Sequence, residues 1–179
     1  MFVGKRVMLR KMTEQDILKY HEWKNNLDIM RSTSPYLDMY SFEETKQFVM
    51  DVILNNQNSK SYMIVDNETH NVIGITSLVN IDWKNRNAEC IIDIGEKDYW
   101  GKGIGKESLS MLLQYAFLEL NLNRVGLKVY SFNERAINLY NNLGFVKEGE
   151  IRQEIYRDGS WHNTIIMGLL AQEYIAELK

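Results

Sequence analysis

Cysteine and proline are almost missing from this sequence. Cys90 and Pro35 are the only ones in 179 residues. A single thiol cannot close an intramolecular disulfide, and no C-x-x-C or Cys/His spacing of a zinc site is present, so neither a disulfide scaffold nor a metal site is expected. Long apolar runs are missing too: nothing approaches the ~20 residues of a membrane-spanning helix, so no membrane association is expected. The first ten residues, Met-Phe-Val-Gly-Lys-Arg-Val-Met-Leu-Arg, carry charge at Lys5 and Arg6, which argues against a secretion signal and makes the cytoplasm the expected location. Charge of one sign is also lacking. Lys and Arg number 21 against 24 Asp and Glu, for a net charge of −3, which argues against a protein that grips nucleic acid mainly through its phosphates, so no nucleic-acid partner is expected.

Apolar residues make up 45% of the chain, enough for a sizeable core. No repeat, low-complexity tract or linker interrupts it, and residues 1–179 are expected to form one domain.

Alternation over 6–10 predicts a short strand. Thr13, with Asp16 three residues on, predicts an N-cap and a helix to about Asn25. Residues 31–40 read as a loop. Ser41-Phe-Glu-Glu is a capping box opening a second helix. Strands follow at about 60–66, 71–81 and 87–95, an antiparallel meander turning at Asp66-Asn-Glu-Thr69 and Asp82-Trp-Lys-Asn85. The period then changes. Leu109, Leu112, Leu113, Ala116, Phe117 and Leu120 form one helical stripe. Residues 124–130 return to a strand, so 87–95 and 124–130 are predicted to lie parallel across a right-handed crossover. A helix over about 134–143 ends at Gly144 in the C′ position. A hairpin of 145–156 and 161–169 turns at Arg157-Asp158-Gly159-Ser160. The edges of that hairpin make a homodimer a candidate assembly.

Between a strand and a helix lies Trp100-Gly101-Lys102-Gly103-Ile104-Gly105-Lys106. Its glycines permit close backbone approach and unusual dihedrals, the helix start offers free N–H groups, and Lys102 and Lys106 add positive charge. The site suits phosphate oxygens. It is not a Walker A loop, because Lys106 is followed by Glu107 and Trp100 stands at the first glycine position. The spacing G-x-G-x-G also misses the dinucleotide fingerprint G-x-G-x-x-G. The alternative is a turn that needs glycine for geometry alone.

That loop, the strands flanking it, and Asn133-Glu-Arg-Ala136-Ile-Asn-Leu139-Tyr140-Asn-Asn-Leu-Gly144-Phe145 together resemble the core of the GNAT acetyltransferases. The loop is similar to that family's Q/R-x-x-G-x-G/A motif, with Trp100 in place of Gln or Arg. This departure and the opening Arg6-Val-Met-Leu9-Arg10 resemble the branch of ribosomal-protein N-terminal (Rim-type) and spermidine acetyltransferases. The likeness spans nearly the whole chain and is weakest over 13–60. It implies an α/β (mixed α+β) GNAT fold: a central mixed, mostly antiparallel sheet with one splayed parallel strand pair and helices on both faces.

The resemblance also implies a chemistry, acetyl transfer from acetyl-CoA to a primary amine by direct attack in a ternary complex. Acetyl-CoA would be the co-substrate and no metal would be needed. The pantetheine would lie in the splayed gap along Ile92, Asp93 and Ile94, where a backbone N–H polarises the thioester carbonyl. The pyrophosphate would sit on Gly101, Lys102, Gly103, Ile104, Gly105 and Lys106, and Asn133 would bond the pantetheine or its surroundings. Tyr140 matches the family's general acid, whereas its place beside Leu139 and Leu143 is equally what packing alone would produce. The amine must lose a proton before attack. Glu89 is the candidate base, with Asp93 or solvent as substitutes. Alternation puts Glu89, Ile91 and Asp93 on one strand face, and Cys90, Ile92 and Ile94 on the other.

Cys90 reads as a core residue, and His21, His70 and His162 offer little, although His162 could line a substrate mouth. The acceptor is either a protein N-terminus or a small amine such as a polyamine. Spermidine enzymes of this branch use carboxylates near the loop that here reads Arg31-Ser-Thr-Ser-Pro35, which weakens the polyamine reading. A CoA-binding regulatory module without acetyl transfer is the alternative of a different class.

Overall fold

A computed structural model describes residues 1–177. Eight strands form one sheet in the order β1-β2-β3-β4-β5-β6-β8-β7. In chain order the elements are β1 (Phe2–Val3), β2 (Val7–Lys11), α1 (Ile17–Lys24), α2 (Leu27–Met30), α3 (Phe42–Phe48), β3 (Lys60–Asp66), β4 (Val72–Asp82), β5 (Asn87–Ile94), α4 (Ile104–Gln114), β6 (Arg124–Tyr130), α5 (Glu134–Asn141), β7 (Val146–Arg157), β8 (Ser160–Leu170) and α6 (Ala171–Glu177). Every neighbouring pair is antiparallel except β5 and β6.

The local signals act where the sequence places them. Thr13 N–H donates to Asp16 Oδ2 at 2.8 Å, closing a capping box before α1. Asp16 also holds Arg10 of β2, with Nη2 2.6 Å from Oδ1, which ties the helix start to the sheet. Ser41 and Glu44 cap α3 reciprocally. Asp158 and Gly159 both have positive φ, 53° and 77°, in a two-residue turn that matches the twist of β7 and β8.

Period-two alternation divides the core. Tyr62, Ile64, Cys90 and Val125 face α4 and α5, where Leu109, Leu112 and Leu113 are fully buried. Met63, Val65 and Ile75 face α1 to α3 and pack on Ile17, Tyr20, Trp23 and Val49. Each buried leucine contributes about 1.5–3 kcal/mol relative to its exposed state.

Some elements are absent from the expectations above. β1 is two residues long and exists through its pairing with β2. α2 is one short turn capped by Asn26, whose Oδ1 accepts from Asp28 N–H. α6 follows β8, with Ala171 N–H bonded to Asn123 O at 2.9 Å and Tyr174 packed 5.1 Å from Phe117.

The feature that makes a site is where β5 and β6 stop pairing. They are in register only at Asn87↔Arg124, Ala88↔Val125 and Glu89↔Gly126. Beyond Glu89 both strands continue, β5 to Ile94 and β6 to Tyr130, but diverge. The sheet-edge N–H and C=O groups that β5 turns toward β6 there have no strand partner across the gap.

Candidate active site

A cavity of about 780 Å³ fills that gap. Its walls are the diverging parts of β5 and β6, the glycine loop, α5, and a segment of residues 32–36. Ile92, Asp93 and Ile94 run along it as one continuous backbone edge. The Ile94 carbonyl is already used: Trp100 Nε1 donates to it at 2.8 Å. Trp100 therefore pins the glycine loop to the end of β5. Its ring lies 3.9 Å beneath the Arg135 guanidinium, a cation–π contact that fixes Arg135 on the cavity wall.

Gly101 and Gly103 have φ of 73° and 79°, and a side chain on either would point into open space rather than into protein. Gly103 is the N-cap residue of α4, so the N–H groups of Ile104, Gly105 and Lys106 open the helix without intrahelical partners. This end of the helix faces the cavity with its positive dipole. Gly105 has a different role from its neighbours. A Cβ there would come 3.2 Å from Leu139 Cδ2, so this glycine lets α4 and α5 approach each other. Of the two lysines, Lys106 borders the cavity, whereas Lys102 Nζ stands 5.9 Å over the Tyr99 ring and its carbonyl accepts from Arg6.

Tyr140 is held from several sides. α5 ends in a Schellman motif: Phe145 N–H reaches back to Tyr140 O at 3.1 Å, Gly144 N–H to Asn141 O at 3.1 Å, and Gly144 takes φ 86°. The accompanying hydrophobic contact is Tyr140 against Phe145, ring centroids 5.8 Å apart and edge-on. The Tyr140 side chain is buried yet borders the cavity. Burial, with Cys90 and Asp93 nearby, pushes its phenol above its ordinary range, so it keeps its proton at neutral pH.

Asn133 caps α5 by accepting from Ala136 N–H at 3.2 Å, and its Nδ2 donates to Ser32 O at 3.1 Å. Both ends of this amide thus have protein partners, and its position is at the junction of α5 with the 32–36 segment. That segment is strapped down a second time. Arg157, almost fully buried, donates to Ser34 O at 2.7 Å, and Arg31 pairs with Asp158 at the β7–β8 turn. The strap and Arg157 carry no sequence signal, because the partners lie more than a hundred residues apart and Ser34 offers only its backbone.

Three carboxylates border the cavity: Glu89, Asp93 and Glu154. Glu89 is the last paired residue before β5 and β6 part. Asp93 lies beneath the strap. Burial raises its proton affinity, with Thr33 and Lys24 pulling the other way. Cys90, on the opposite strand face, is fully enclosed, and burial pushes its thiol up to about 12, which leaves no thiolate for nucleophilic chemistry. The histidines stand apart from the cavity wall. His162 packs edge-on against Phe132 at 4.9 Å, His21 bonds Thr45, and His70 takes φ 59° in a turn. Among the described residues no group of three metal-ligating side chains converges, and no helix is long and apolar enough to cross a membrane.

Residues 6–146 match the family model of the acetyltransferase (GNAT) domain. An uncharacterized N-acetyltransferase, p20, from Bacillus licheniformis is 32% identical over 94% of this chain and 95% of its own length. The spermidine N(1)-acetyltransferase of Escherichia coli (strain K12) is 31% identical over 97% of this chain and 90% of its own length. The crystal structure of spermidine N-acetyltransferase from Vibrio cholerae in complex with CoA and spermine superposes with a TM-score of 0.86 at 28% identity, covering 96% of this chain and 99% of that one. A splayed parallel pair, a glycine loop at a helix start and a whole-length likeness to such enzymes lead to one conclusion: the chain belongs to the GNAT acetyltransferases, with acetyl-CoA as its co-substrate.

Proposed function

We propose that this protein acetylates a primary amine of a small, cationic acceptor of the polyamine class, with Glu89 as base and Tyr140 as acid. In this reading the pyrophosphate of acetyl-CoA rests on the N–H groups of 101–106, and the pantetheine fills the unpaired edge along Ile92, Asp93 and Ile94. The thioester then reaches the vertex of the gap, where β5 and β6 part beside Glu89. Glu89 takes a proton from the ammonium, directly or through water, and the free amine attacks the thioester carbonyl. A β5 backbone N–H in the gap stabilises the oxyanion. Collapse breaks the C–S bond, Tyr140 hands its proton to the departing thiolate, and the nitrogen sheds its second proton to give the neutral amide, which restores the phenol through solvent.

The observation that carries the choice of a small acceptor is the strap. Asn133 and Arg157 fasten Ser32 and Ser34, and the fastened segment 32–36 forms a fixed wall of the cavity, which suits a small acceptor better than a protein terminus. Glu89, Asp93 and Glu154 offer a cation partners in that cavity, which Lys106, Lys128 and Arg135 also border, and the spermidine acetyltransferases among the relatives act on one. The test is an acceptor panel with acetyl-CoA, reading free thiol. Polyamines are expected to give turnover well above amino sugars and N-terminal peptides. A protein that turned over only N-terminal peptides would refute this reading.

A further inference from the structure

Glu89, Ile91 and Asp93 share one face of β5, and all three border the cavity. Their order is carboxylate, alkyl, carboxylate, and the two acids are separated by about 13 Å of strand. The intervening residues Cys90 and Ile92 border the same cavity from the other strand face, where they join the apolar core. Ile91 is 45% exposed, although it lies mid-strand and flanked by core positions, so its side chain has no protein partner that covers it. Asp93 is the stronger anomaly. Its Oδ1 is sealed from solvent and has no hydrogen-bond partner, and no ion pair within the described residues neutralises it. A partly buried carboxylate with one oxygen unpartnered is unfavourable in the empty protein, and Thr33 and Lys24 offset that cost only in part. A cation brought by a ligand would satisfy it.

We infer that this face of β5 is a ruler for an α,ω-diamine: the reacting amine stands at Glu89, the methylene chain lies over Ile91, and the second ammonium pairs with Asp93. The inference rests on the small cationic acceptor proposed above and adds what selects among such acceptors. The reacting end belongs at Glu89 because the strands part there, at the vertex the thioester reaches. The distal end belongs at Asp93 because its free oxygen lies four residues further along the same face, beneath the strap at Thr33. Glu154 adds negative charge to that cavity, and Lys128, on β6 across the gap, is exposed. An acceptor with its nitrogens on the order of 10 Å apart fits, once the reach of the two carboxylates is subtracted from the strand rise.

The test is a series of α,ω-diaminoalkanes of increasing length, each compared with the monoamine of equal length. The wild type is expected to show a length optimum in kcat/KM and to prefer the optimal diamine over its monoamine by roughly tenfold to a hundredfold, the size of one charge-assisted hydrogen bond. Asp93→Asn should collapse that preference by at least tenfold. The preference is a ratio measured on one preparation, so partial misfolding of the variant cancels. Wild-type enzyme that treats diamine and monoamine alike, or an Asp93→Asn enzyme that keeps the preference, overturns the ruler and leaves the proposed function standing. If acetyl-CoA binds but neither amine series is acetylated, the acceptor reading itself falls and the ruler falls with it.

Discussion

Replacing Tyr140 by phenylalanine separates catalysis from packing more cleanly than any other change at this site. The ring stays, and with it the edge-on contact to Phe145 and the burial against the core that α4 and α5 share. The Schellman motif is made by backbone groups and is untouched. Stability should therefore move by less than about 1 kcal/mol. Only the hydroxyl is lost. Because burial, Cys90 and Asp93 raise this phenol above its ordinary range, it is protonated throughout the working pH range, and no alkaline limb of the wild-type rate profile should belong to it. If the hydroxyl protonates the leaving thiolate, kcat should fall about 10²–10⁴-fold, or about 2.7–5.5 kcal/mol of transition-state stabilisation. Free-thiol release at saturating acetyl-CoA and amine measures it, with calorimetric CoA binding as the control for an intact site. An acetyl thioester with a more acidic thiol should shrink the deficit, since that leaving group needs less help. A folded, CoA-binding Tyr140→Phe enzyme that turns over at the wild-type rate refutes the acid role and leaves Tyr140 as a packing residue.

Glu89→Gln should lower kcat roughly 10²–10⁴-fold while acetyl-CoA still binds; a change confined to KM for the amine would make Glu89 a recognition group instead. Gly103→Val should weaken acetyl-CoA binding measurably by calorimetry, because its φ of 79° suits glycine and the new side chain would enter the space the phosphates need. Asp16→Asn addresses stability. Burial alone would raise this carboxyl, but Arg10 and Thr13 outweigh it and hold it below its usual range. A depressed folded pKa means the stabilisation is complete above the ordinary carboxylate value near ~4 and is lost as pH falls through the lower folded value. Urea unfolding should show the variant about 1–3 kcal/mol less stable near pH 7, with the difference closing in strong acid. A gap that persists unchanged in strong acid would refute the ionic account.

Much of this protein is determined by short stretches of its own sequence. The capping boxes at Thr13 and Ser41, the Asp158-Gly159 turn, the leucine stripe of α4 and the glycine at the end of α5 are local instructions, since each partner lies within a few residues and the geometry follows from dihedrals and hydrogen bonds. The shape of the glycine loop belongs here too: Gly101 and Gly103 adopt the positive φ that only glycine takes without strain. Other features have no local signal. β1 and α2 are too short to show a period, and α6 is set by contacts to Asn123 and Phe117 far back in the chain. That Gly105 serves helix packing, and that Lys102 turns to Tyr99, depend on which elements meet across the loop. The site itself was decided last. Pairing between β5 and β6 ends at Glu89, Arg157 crosses 123 residues to strap Ser34, and one oxygen of Asp93 is sealed without a partner near that strap. Alternation can place Glu89 and Asp93 on one strand face, but only tertiary packing removes water from one of them, because desolvation depends on what the rest of the chain lays on top.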